Sequence, residues 1–170
     1  MKVLITLVAA FAAALFGTLL WLTETYLKPQ ADGMAPFDGR VFGYDFETAK
    51  TYLETLTANG RAVYMLEMRL LDTVFPFTLF LLLALMTGRL IREPGFGRLV
   101  LHLIPAFTYF VADIWENSMV AMMLRLGPGG IEPWQVQLAS ALTMVKWLAV
   151  ALSVAMIGWL YLQGRRTARG

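Results

Sequence analysis

The segment Tyr109-Phe110-Val111-Ala112-Asp113-Ile114-Trp115-Glu116-Asn117 sets two carboxylic acids and an amide inside a run otherwise apolar enough to lie in a bilayer. An ionisable side chain at that depth costs roughly 2.5–3.5 kcal/mol even on insertion-based scales, so it faces a bundle interior, pairs with a neighbour or performs a function. Asp72, Lys146 and Arg69 fall in similar surroundings. Carboxylates grouped with an ammonium suit ligand binding, proton transfer or catalysis. They suit equally an interhelical network whose only task is to fix helix register.

The elements that position these residues are read from composition first. The chain has 170 residues, 58% hydrophobic and 15% charged, against about 45–50% and about 25% in soluble domains. Its apolar residues gather into blocks of about 20, the length that crosses roughly 30 Å of hydrocarbon as helix. The net charge of +2 does not indicate a nucleic-acid partner, because the Arg residues cluster at the ends of the apolar blocks, where they anchor and orient. With no Cys, disulfide frameworks, thiolate metal sites and thiol redox chemistry are excluded. That removes quinone-linked disulfide enzymes and leaves claudin-type proteins a poor match.

In chain order, a first span is expected over residues 3–22. A signal peptide is the rival reading, but such apolar regions run about 7–15 residues, and Ala12, Ala13 and Ala14 lie inside the run rather than after it. Residues 23–60 form a polar loop, in which Asp45 caps a short amphipathic helix presenting Phe46, Ala49, Leu53 and Leu56, with Gly60 placed to stop it. The preceding Pro36-Phe37-Asp38-Gly39-Arg40-Val41-Phe42-Gly43-Tyr44 alternates turn residues with aromatics and is expected to pack as a lid. The second span covers 61–92, where Pro76 cannot donate to the Asp72 carbonyl, so a kink or a polar partner is expected there. A basic turn with Arg89, Arg92 and Arg98 leads to the third span, 99–124, and then a fourth, 134–163, opened by Pro133 and Trp134. Residues 164–170 are a basic tail. The chain is one integral membrane domain.

Basic residues flank the Lys2 end, the turn and the tail, against Arg125 alone in the other short loop, so both termini are expected in the cytoplasm of a bacterial inner-membrane protein, with the long loop outside. Counting from those anchors puts Asp72 at about 25 Å, Asp113 at about 22 Å, Glu116 at about 27 Å and Lys146 at about 28 Å. Thr18 on the first span falls at about 24 Å and adds a hydroxyl. His102, Ala106, Tyr109, Asp113, Glu116/Asn117 and Val120 share one helical stripe, as do Ser140, Thr143 and Lys146, with Ala139 and Trp147 beside them. The acids outnumber Lys146 even with Arg69 added, so one carboxyl keeps its proton, or a cation or water fills the gap.

His102 has no His or Cys neighbour and reads as a packing residue. A divalent ion held by Asp72, Asp113 and Glu116 is disfavoured because the Glu-x-x-His element of helical di-metal sites is missing. Phosphate loops, nucleophile elbows and zincin helices do not occur, and no cofactor is assigned. Met119, Met122, Met123 and Met144 read as adaptable packing, and Gly17 and Gly158 as points of close helix approach.

Gly60-Arg61-x-x-Tyr64, Asp72-x-x-Phe75-Pro76, Asp113-x-x-Glu116-Asn117 and Lys146-Trp147 resemble the recurrent pattern of an uncharacterised family of small four-span bacterial membrane proteins. The resemblance implies the architecture and brings no activity. The emopamil-binding (sterol isomerase-like) proteins are similar in architecture only, and that analogy transfers no chemistry.

The expected fold is all-α, a four-transmembrane-helix bundle with a long outer loop carrying a short amphipathic helix. The leading functional expectation is a pocket for a lipid-like or amphipathic small molecule, with Asp72, Tyr109, Asp113, Glu116, Asn117 and Lys146 as its binding residues. A membrane-embedded isomerase or proton-transfer enzyme and a non-enzymatic accessory subunit are the alternatives. Expected partners are membrane lipids, the small molecule itself, and a partner membrane protein or second copy of the chain.

Overall fold

An unbroken apolar run without proline forms α1 (Lys2–Leu22), and the helix does not stop where the polar residues begin. It continues through a π-turn at Thr23–Leu27. The computed structural model describes residues 1–91 and 95–167. Arg92 and Arg169, both used in the orientation argument, lie outside the described residues, as does the side chain of Arg166. Among the described residues all regular structure is helical, and four helices are long and apolar enough to cross a membrane.

Asp45 caps α2 (Phe46–Thr55) as its residue type requires, accepting from Thr48 N at 2.8 Å, and this bonding holds its carboxyl below the usual carboxylate range. The helix ends at Thr55 rather than running to Gly60. Thr57 interrupts it by capping a new helix, α3 (Ala58–Val63), through its hydroxyl to Gly60 N. Gly60 lies inside α3, and its role is close approach: a Cβ there would stand 2.7 Å from Gln30 Cβ. A second π-turn, Tyr64–Met68, joins α3 to α4 (Arg69–Leu90), so the second span begins earlier than residue 61.

α5 (Phe96–Leu126) and α6 (Pro133–Thr167) both run beyond the ranges expected from hydropathy. Gly127, at φ +70°, ends the former, and Pro133 opens the latter. The helical end of α6 absorbs residues 164–167 of the expected tail. Neither Gly17 nor Gly158 mediates close packing, since a Cβ at either would meet nothing.

α5 and α6 share the most extensive seam, α4 packs on both, and α1 lies along α4 with no comparable seam against α6. The main apolar core sits at the loop end, where Leu27, Phe37, Tyr52, Tyr64, Met123 and Val136 meet. A smaller cluster around Leu83, Ala106 and Ile157 closes the other end.

The segment 36–44 is fixed onto this core. Phe37 is fully buried and meets the rings of Tyr44 and Tyr52 at 5.0 and 4.9 Å, while Arg40 lies over Tyr44 and Tyr52. Phe42, expected to help cover the opening, instead projects outward and is 96% exposed. Tyr44 N donates to Ser140 Oγ on α6 at 2.8 Å. Gly43 makes that approach feasible, because it holds φ +82° and a Cβ there would lie 2.7 Å from the same oxygen. Gly43→Ala is therefore expected to destabilise the loop by about 1–3 kcal/mol through strain alone, read as faster protease cleavage within residues 33–44 while the helical circular dichroism is retained.

Candidate functional site

The site grows from one helical stripe on α5. Spacings of three and four put Ala106, Tyr109, Asp113, Glu116 and Val120 on a common face, and all five are buried. The facing stripe on α6 buries Ala139, Ser140, Thr143 and Lys146. Where they meet, Lys146 Nζ lies 2.8 Å from Asp113 Oδ1 and 2.5 Å from Glu116 Oε2. Glu116, with no exposed surface, also receives the Thr143 hydroxyl.

A third carboxylate reaches the same ammonium from the loop. Asp38 Oδ1 stands 3.8 Å from Lys146 Nζ, and its other oxygen accepts from the Tyr64 hydroxyl at 2.7 Å. The Asp38 carbonyl accepts from Trp147 Nε1. The sequence marks Asp38 only as an acid in a Pro/Gly turn, and no periodicity connects it with Lys146. The aromatic residues around it are the one local sign that this turn packs inward.

Below the loop a cavity of about 660 Å³ opens. Its apolar wall comes from Ala9, Ala12, Ala13 and Phe16 on α1 and from Phe75 and Leu79 on α4. From Ala9 to Leu20 the lining of α1 extends about 16 Å. Asp72, Tyr109, Asp113 and Lys146 form the polar part, and Pro36, Asp38 and Gly39 form the roof. Glu24 and Lys28 at the rim pair with each other at 2.6 Å. Because α1 has no seam with α6, the cavity's weakest wall lies between those helices.

Of the residues expected at the site, four line this cavity and two do not. Glu116 sits behind Lys146, enclosed by α5 and α6. Asn117 donates to the Asp72 carbonyl at 2.8 Å, which is the bond Pro76 leaves open one turn later. Thr18 lies outside the layer altogether: it is exposed and bonds its own helix at the Ala14 carbonyl. Arg69, one turn nearer the loop, forms no ion pair with Asp72 among the described residues. His102 bonds the Arg98 carbonyl at 2.7 Å, away from the site.

Tyr109 and Asp72, both at the cavity, offer polar groups with no side-chain hydrogen bond or ion pair among the described residues. The Tyr109 hydroxyl is buried without a hydrogen bond, and the half-buried Asp72 carboxylate forms no hydrogen bond or ion pair there. The arrangement thus divides into an ion-paired part around Lys146 and a part, Asp72 and Tyr109, without an ion pair or side-chain hydrogen bond among the described residues.

A scan against protein-family models, a search of curated proteins and a search of solved structures each find no match for this chain.

Removing the ammonium leaves buried acids without their counter-charge, and breaking a buried pair from one side costs about 3–5 kcal/mol. Lys146→Met is expected to lose stability on that scale in denaturant unfolding in bicelles, and Glu116→Gln added to it is expected to recover part of the loss. In the loop, burial pushes the Tyr44 and Tyr52 hydroxyls above their ordinary value of 10.0, with the Glu116 and Asp38 charges adding at Tyr44 and Asp38 at Tyr52. The folded loop binds these protons more tightly than the unfolded chain, so its stability is intact below pH 10 and falls as the pH rises past the unfolded value. Tyrosine ionisation and protease sensitivity of residues 33–44 are expected to rise together in an alkaline titration.

Proposed function

We propose that this protein is a binding module of the bacterial inner membrane that holds a lipid-like or amphipathic small molecule between its helices. The arginine distribution supports a bundle with both termini in the cytoplasm and the roofed end of the cavity facing outward. The observation that carries the reading is the 660 Å³ cavity, largely apolar along α1 and α4, with Asp72, Tyr109, Asp113 and Lys146 gathered in its wall, Asp38 in its roof, and Glu24 and Lys28 at its rim. Small-molecule sites combine the same two properties, apolar walls and a few placed polar groups, within about 300–1,000 Å³.

The thin wall between α1 and α6 supports lateral access from the bilayer. An amphiphile sliding in there keeps its chain in hydrocarbon throughout and exposes only its head to the polar end. The roof, held by Asp38 and Tyr44, closes the route from the water side.

Extraction in native nanodiscs followed by lipid mass spectrometry tests this. The wild-type chain is expected to retain a bound amphiphile, and Ala13→Trp, which fills the α1 wall, to lose it while keeping the wild-type melting profile. The same lipid content in both proteins would overturn the reading. Recovery of the molecule in chemically altered form would favour the isomerase or proton-transfer alternative.

A further inference from the structure

The charges around the cavity do not cancel. Asp38, Asp113 and Glu116 converge on the one ammonium of Lys146, and Asp72 adds a fourth carboxylate that none of the described residues pairs. Arg69, the nearest cation along its own helix, makes no ion pair with it. Glu24 and Lys28 at the rim offset each other. The polar end of the cavity is therefore acidic after its internal ion pairs are counted, and a buried surplus charge is stable only with a counter-charge or a proton.

The group that would meet a ligand there is specific. Tyr109 is 3% exposed, its hydroxyl has no partner, and it lines the cavity with Asp72. Asp72 accepts hydrogen bonds and carries charge, and the Tyr109 oxygen accepts as well as donates. Together they fit a head group that is positive and rich in N–H donors. An anionic head would face Asp72 directly and find Lys146 already enclosed by three carboxylates. A bare metal ion fits poorly, because among the described residues no group of three acid or imidazole side chains is placed to hold one, and the three acids that do converge are held on Lys146.

Resting on the binding reading above, we infer that the ligand's head group is a protonated amine, seated on the Asp72 carboxylate and the Tyr109 hydroxyl, with its chain lying along α1. Asp113 and Glu116 take no direct part, since both are held on Lys146. Asp72 thus selects the head group by charge, while the small side chains of α1 admit the tail.

The test uses the full-length protein in phosphatidylcholine nanodiscs and three probes of one chain length, dodecylamine, dodecanol and laurate, counted as bound molecules by native mass spectrometry. Dodecylammonium is expected to bind about tenfold more tightly than dodecanol, a ratio worth about 1.4 kcal/mol, with laurate weakest. Asp72→Asn is expected to bring the amine and the alcohol within about twofold of each other while dodecanol binding persists, and Tyr109→Phe to weaken the amine selectively. Equal binding of all three probes to the wild type, or an amine preference that survives Asp72→Asn, would overturn the inference and leave the cavity reading standing. Failure of every probe to bind would overturn both. Repeating the measurement in phosphatidylethanolamine discs separates two sources of the same chemistry. Competition there identifies a lipid head group, unchanged binding identifies a free amine, and both support the amine assignment.

Discussion

A single buried ammonium organises the loop end of this bundle. Lys146 draws one carboxylate up from the middle of α5, a second from one turn further along, and a third from a loop more than a hundred residues away in sequence. Burying so many charges is expensive, and an apolar replacement of the same shape would often stabilise a protein more. What the ion cluster supplies instead is position. It fixes the α5/α6 register, since Glu116 and Thr143 meet only in one alignment, and it holds the 36–44 roof at a set height over the cavity.

The π-turn at Tyr64–Met68 has a geometric consequence for that cavity. In a regular helix, eight residues from Tyr64 to Asp72 rotate through two turns plus about 80°. Tyr64 under the loop and Asp72 at the cavity would then face different directions. A π-turn takes up about one extra residue, roughly 100° of rotation, and so cancels the drift. Tyr64 and Asp72 consequently face nearly the same way, and the former bonds the loop acid while the latter meets the cavity.

Much of this was legible in the residues. Four apolar blocks gave four long helices, and the spacing of Tyr109, Asp113 and Glu116 gave their common face, because helical pitch converts sequence distance directly into direction. Pro76 announced an orphaned carbonyl at Asp72, and Asn117 is the group that answers it. Depth alone was a weaker guide. It put Thr18 in the polar layer, but height along a helix says nothing about which side a residue faces, and Thr18 faces away. Asp38 was hidden for a different reason: loop residues have no period, and its partners lie 26 and more positions off in sequence. Gly60 does not end α2, because a capping threonine three residues earlier restarts the helix before a glycine stop is needed.

The least anchored part of the bundle bears directly on how the cavity works. Only 11% of the α1 apolar window is buried, against 22% for the second span and 28% for each of the last two. In hydrocarbon, apolar side chains gain little by leaving lipid for one another, so helices associate through close packing and polar contacts. α1 brings no buried charge to the cluster, and the small side chains Ala9, Ala12 and Ala13 that it turns to the cavity leave the space beside α6 open. Its hold on the bundle is its seam with α4, together with the loop-end core around Leu27. An empty apolar cavity forfeits dispersion contacts along its whole lining. The gap between α1 and α6 is thus the stretch of the lining with the least helix packing, whereas the ion cluster at the far wall is fixed on Lys146.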